Sequence, residues 1–271
     1  MVSRSLVATF VVCWTAVAAG QIPVGDLQLL EGPWECRNAS GIHGVFITAT
    51  TLLTEKSGQQ DITSQSLNIR VYERQAGQEH SGYFSPTVLN SRRLIMHFKD
   101  RTDIPPFDLD LSFDPDARRW TGFWSLCDKS QDVILDRPRP REGVALNPLV
   151  ADWEGYTPPT ASFRSSPGTL HVRQSYDGSL TAWLDRTLSA FDPRMQSTRI
   201  DQRNGEQLRV LSATQTGIVL ANVNSLGASY QYEGTLSGDG KGIIGHWQAV
   251  GGFGGSLNAP THYRLLGLVS K

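Results

Sequence analysis

The sequence predicts an all-β protein: two tandem antiparallel meander units, each a roughly eight-stranded barrel or barrel-like sandwich, behind a signal peptide. Three observations carry that prediction. Apolar and polar residues alternate with period two, as in "FDLDLSF", where Phe107, Leu109, Leu111 and Phe113 share one face and Asp108, Asp110 and Ser112 the other. Turn signals punctuate such runs: "DPDA" at 114–117, "YDGS" at 176–179, "RNGE" at 203–206 and "SGDGKG" at 237–242. Asp-Gly and Asn-Gly pairs mark tight hairpins, because these turns need positive φ. Finally, one phrase is written twice: "FDPDARRWTGFW" at 113–124 returns as "LSGDGKGIIGHW" at 236–247.

The chain opens on Arg4 and the apolar run "SLVATFVVCWTAVAA", which ends in small residues. That pattern predicts a secretory signal peptide over 1–20, too short for a membrane span and followed at once by polar sequence. Cys13 lies inside the run without the Leu-x-x-Cys context of a lipid-attachment site. The expected compartment is secreted or periplasmic, with no membrane span once the signal is cleaved. Cys36 and Cys127 are then the mature cysteines, and an oxidising compartment favours a disulfide between them.

The first unit is expected over 21–137. "SLNIRVY" places Leu67, Ile69 and Val71 on one face. No stretch longer than two turns carries a 3.6-residue period. Residues 138–148, "PRPREGVALNP", read as a linker, and the second unit fills 149–271. There "TLHVR" places Leu170 and Val172 together. "GPWEC" at 32–36 matches "ADWEG" at 151–155, with Trp34 over Trp153 and Glu35 over Glu154. Its offset nearly equals that of the repeated hairpin phrase, so both matches support one duplicated β-module. In the copies, Trp120, Gly122 and Trp124 share a face, as do Ile243, Gly245 and Trp247. A glycine between two inward bulky residues suits a close backbone crossing.

"GPW" at 32–34 resembles the Gly-x-Trp on the first strand of lipocalin-like (calycin) barrels. The resemblance implies a basic residue from the last strand lying over that tryptophan: Arg137 over Trp34, and Arg264 over Trp153. The second copy departs from it, with Ala151 where the glycine would stand.

Composition excludes several functions. The formal net charge is −1 and charges alternate without blocks, so no basic stripe for nucleic acid and no basic amphipathic helix for a membrane surface is present. A Gly-x-Ser-x-Gly elbow is absent, and Ser256 in "GGSLN" lacks its strand-turn-helix context. The histidines at 43, 80, 97, 171, 246 and 262 never pair at metal-ligand spacing. Asp108, Asp110, Asp114 and Asp116 read as a wet strand face running into an Asx turn rather than a calcium loop. Glu35 with Glu154, or Asp185 with Glu233, are the carboxylate pairs that glycoside hydrolysis could use. "GGFGG" at 251–255 reads as a connection, with no helix behind it to hold a phosphate. No metal and no cofactor is expected.

The aromatic residues remain. Trp120, Trp124, Trp183, Tyr230, Tyr232 and Trp247 recur on the later strands, and Tyr230 and Tyr232 fall on one side. The expectation is a secreted, non-catalytic protein holding a small hydrophobic or amphipathic ligand among these side chains in a barrel pocket. The alternatives are an interaction or structural module without a cavity, and a hydrolase or isomerase working with a His or carboxylate in a barrel. That last reading needs two titratable groups within hydrogen-bond reach in a concave site.

Overall fold

The computed structural model of this chain describes residues 22–38, 41–56, 59–75, 78–84, 86–99, 104–156, 167–191, 199–223, 229–250 and 258–268. The segment expected as a signal peptide, Ser256 and the glycine run at 251–255 lie outside them.

Pro23 opens a short helix, α1 (Val24–Leu30), which the period-two reading did not include. Leu27 and Leu30, three residues apart, are both buried in the core beneath it. The chain then enters β1 (Gly32–Asn38), which pairs antiparallel with β2 (Gly41–Lys56). β2 pairs with β3 (Gln59–Gln75), and β3 with β4 (Gln78–Phe84). A second meander follows: β5 (Val88–Leu89), β6 (Arg93–Phe98), β7 (Phe107–Asp114), β8 (Arg119–Trp124) and β9 (Asp128–Leu135). One antiparallel bridge joins the two sheets, where Glu35 and Asp136 exchange backbone bonds of 2.8 and 3.0 Å.

Among the described residues no ladder joins β4 to β5 or β6. The first half is therefore two sheets about one core, the sandwich rather than the closed barrel of the two forms expected. Asn90 accepts the backbone N–H groups of Arg92 and Arg93, closing the β5–β6 hairpin. The core between the sheets holds Trp34, Val45, Ile69, Leu109, Trp120 and Trp124. The Cys36–Cys127 disulfide ties β1 to the β8–β9 turn, with its cysteines 91 residues apart.

The second half closes. β10 (Ala151–Tyr156), β11 (Pro167–Gln174), β12 (Leu180–Phe191), β13 (Arg199–Ala213), β14 (Gly217–Val223), β15 (Ser229–Leu236), β16 (Gly242–Val250) and β17 (Asn258–Leu268) pair in succession, and β17 returns to β10. This is an eight-stranded up-and-down barrel without a free edge. Leu170 and Val172, Tyr232, Ile243 and Trp247 point inward as the sequence read them, whereas on β12 Ala182 and Leu184 fill the core and the expected Trp183 does not.

"RNGE" does not turn. Arg203 to Glu206 run inside β13, opposite Thr187, Arg186, Asp185 and Leu184. Gly205 serves close approach instead, since a Cβ there would stand 2.7 Å from the Glu31 carboxylate. The 138–148 segment is strapped to the barrel. Asn147 donates to the Thr214 carbonyl, and Gln174 bonds to both Asn147 N and the Ala145 carbonyl.

Each of the two phrases forms a hairpin, with Phe113 opposite Trp120 and Leu236 opposite Ile243. A Cβ on Gly122 would lie 2.3 Å from the Asp110 carbonyl oxygen, and one on Gly245 2.1 Å from that of Glu233. Both tryptophans that close the phrase, Trp124 and Trp247, are buried. The opening tryptophans correspond as well: Trp34 donates to the Leu30 carbonyl at 2.7 Å, and Trp153 to Leu149 at 2.9 Å.

The halves meet along a ladder. β2 residues Thr50–Glu55 pair with β13 residues Arg199–Asn204, so β2 carries the first half's sheet onto the barrel wall. Phe46, on the face of β2 turned away from its own core, meets Trp183 edge-on at 5.8 Å.

Candidate functional site

Among the described residues Leu170, Tyr232 and Trp247 pack buried inside the barrel. Leu184, Arg186, Glu206, Leu208, Asn222, Tyr230 and Trp247 surround a void of about 10 Å³, room for one water. Tyr232 packs against Trp247 at 5.1 Å and Tyr263 at 5.4 Å. The large concavity lies elsewhere, between the halves. It is an open cleft of about 1140 Å³, walled by β1, the β7–β8 turn, β9 and the 136–139 segment on one side. The outer face of β11 and β12, with Leu266 of β17, forms the other wall.

Trp183 sits in this wall because of strand phase. Its neighbours Ala182 and Leu184 point into the barrel, so Trp183 points out, where the first half buries it. His171 stacks on its ring at 4.6 Å, and the Arg173 guanidinium carbon lies 5.1 Å from the ring centroid. Asp152 on β10 holds both neighbours, accepting from His171 Nδ1 at 2.6 Å and from Arg173 Nη2 at 2.7 Å. Burial opposes the charge on Asp152, but these two partners hold its carboxyl below the usual carboxylate range.

Across from Trp183, Arg137 lies over the Trp34 ring at 3.7 Å. It donates to the carbonyls of Leu29 and Glu31 at 2.6 Å each, and to that of Pro33 at 3.4 Å. Burial foremost, then the nearby Arg173, pushes the Arg137 guanidinium down to about 9, so it remains charged at neutral pH. Arg203 joins Glu31 at 2.5 Å and Asp185 at 2.7 Å. Burial pushes the Glu31 carboxyl up to about 7, against the pull of Arg203.

At the junction's other buried cluster, Glu35 accepts from Ser175 at 2.7 Å, Tyr72 at 2.9 Å and Arg74 at 3.3 Å. Arg74 also donates to Ser175 and Ser179, tying β3 to the "YDGS" turn. Burial raises the Glu35 carboxyl despite these partners. Arg37 covers the Tyr176 ring at 4.1 Å.

The sequence-selected aromatic residues thus separate. Trp120 and Trp124 lie in the first core, where Trp120 packs edge-on against Trp34 at 6.3 Å. Tyr230, Tyr232 and Trp247 belong to the barrel interior, and of the six only Trp183 borders the cleft. Arg264 does not cover Trp153. It pairs in register with Glu154 and bonds it at 2.7 Å in solvent, on the opposite face from the buried Trp153. The suggested carboxylate pairs are likewise split: Glu35 is held by the buried cluster, Glu154 by Arg264 and Asp185 by Arg203. The Asp108–Asp116 acids work as read, with Asp114 accepting the backbone N–H groups of Asp116 and Ala117.

Sequence reasoning missed His171, Arg173, Arg203 and Glu31. The first two alternate with Leu170 and Val172, which marked them as polar-out. Nothing local said that another half of the chain would cover that face.

No family model matches this chain, and no curated protein matches it. Among solved structures, it is similar to a crystal structure of a candidate outer membrane protein from Bacteroides fragilis. The two are 11% identical over 89% of this chain and 99% of that one, with a TM-score of 0.24. At that score the likeness carries no argument about fold, compartment or role.

Proposed function

We propose that this chain is a secreted or periplasmic, non-catalytic binding protein that holds a small amphipathic molecule in the cleft between its halves. The cleft itself carries this reading. At about 1140 Å³ it is large enough for a small ligand, whereas the barrel void of about 10 Å³ is not. Its walls mix apolar and charged surface: Ile134, Leu266 and Tyr176 are exposed there beside several guanidinium groups. The signal-like N-terminus and the disulfide support an extracytoplasmic compartment. The matching glycine crossings and tryptophan bonds support a module written in tandem, and the Arg137–Trp34 stack supports the lipocalin-like resemblance of its first copy.

Titration with the neutral fluorophore N-phenyl-1-naphthylamine tests the reading. Saturable one-to-one binding, weakened by Ile134→Glu or Leu266→Lys and indifferent to Tyr230→Phe, is the expected result. Absence of saturable binding overturns it. The Asp152–His171 contact at 2.6 Å favours a second reading, acid–base chemistry on a molecule in the same cleft. Turnover of a p-nitrophenyl ester or phosphate that His171→Ala abolishes would support that reading over simple retention.

A further inference from the structure

The Trp183 end of the cleft sets three fixed arginines, Arg137, Arg173 and Arg203, among three carboxylates, Asp152, Glu31 and Asp185. Arg137 is held entirely by backbone carbonyls, which orient a guanidinium without neutralising it. Arg173 shares its one carboxylate, Asp152, with His171. Arg203 takes Glu31 and Asp185, yet its Nη1 is buried with no hydrogen-bond partner among the described residues. The groups lie close together: Arg203 and Arg137 both bond Glu31, and a Cβ on the adjacent Gly32 would touch both Arg137 and the Trp183 ring. Arg118, exposed at the cleft rim on the β7–β8 turn, adds a further positive charge.

We infer that this end of the cleft is an oxyanion subsite that receives the carboxylate or phosphate headgroup of the amphipathic molecule. The inference rests on the cleft reading above. Guanidinium groups suit this task because their planar donors match the paired oxygens of either headgroup. Holding them in advance by carbonyls and by Asp152 lowers the ordering cost of binding. The apolar tail then runs toward Ile134 and Leu266.

The test compares an anionic probe, 8-anilinonaphthalene-1-sulfonate, with the neutral N-phenyl-1-naphthylamine on the intact protein. Arg173→Gln should weaken the sulfonate about tenfold, roughly one charge-assisted hydrogen bond, and leave the neutral probe unchanged. Arg118→Gln, at an exposed turn where folding is not at stake, should weaken it less, and added salt should act in the same direction. Competition then identifies the headgroup. Stronger displacement by dodecyl phosphate assigns a phosphate, and stronger displacement by dodecanoate assigns a carboxylate. If dodecanol displaces as well as either, or if the sulfonate's affinity is indifferent to both substitutions and to salt, the subsite is overturned while the cleft reading stands. Failure of both probes to bind the wild-type protein overturns the two together.

Discussion

In the second half β17 returns to β10 and the ladder closes, whereas among the described residues of the first half β4 and β6 face each other without a ladder. What spans that gap is packing: Phe84 lies 4.6 Å from Phe98 and 5.3 Å from Phe107. The halves also differ inside. The barrel's Trp153 and Trp247 donate to Leu149 and Tyr263, while Trp120 and Trp124 of the first core have indole nitrogens with no partner among the described residues. A ladder that closes on itself satisfies its edges and fixes its interior together. A parted one needs other ties, and here they are the disulfide, the Glu35–Asp136 bridge and the ladder to β13.

The comparison breaks most sharply at the disulfide. Replacing Cys36 and Cys127 together by alanine removes a cross-link over 91 residues, for which loop-closure entropy allows an upper loss of about 4–5 kcal/mol. The first half should lose amide-exchange protection before the barrel does; simultaneous loss in both would show that the halves unfold as one unit. Next come the paired tryptophans. Trp34→Ala and Trp153→Ala should each cost about 3–5 kcal/mol in urea unfolding. Trp34→Ala should also remove the ring beneath Arg137, leaving its guanidinium to its carbonyl partners.

The glycine crossings sharpen the comparison at smaller scale. Gly122→Ala and Gly245→Ala both force a Cβ against a carbonyl oxygen, costing about 1–3 kcal/mol. Gly122 also has φ of +143°, a backbone that alanine adopts poorly, so its substitution should be the more damaging. The last effect is on pH dependence. Burial raises the Glu31 carboxyl to about 7, so the folded chain keeps a proton there that the unfolded chain releases near 4.5. That contribution to stability is present in full below about 4.5 and is lost as pH rises through about 7. Glu31→Gln should flatten the decline over this window, measured by thermal unfolding at stepped pH.

Much of the fold was legible because a strand's period reports which face is buried. "FDLDLSF" showed it fully, and its buried and exposed positions alternate along β7. The Cys36–Cys127 bond was legible because only these two cysteines remain once the expected signal segment, with Cys13, is set aside. Partners across sheets were not legible, since alternation is silent about which strand lies alongside. "RNGE" carried the residues of a turn but lies in a strand, where β12 and β2 hold it on both sides. Trp183 shows the same limit at the site. Its type suggested a barrel lining, but its phase sends it outward, and only the docking of the first half makes that face an interior one.

A crystal structure of the protein with 8-anilinonaphthalene-1-sulfonate bound tests the account most directly. The probe should lie between the halves, its sulfonate near Arg173 and Arg137 and its rings toward Ile134 and Leu266. Density inside the barrel beside Tyr230 and Trp247, or on an outer face away from both, would contradict it.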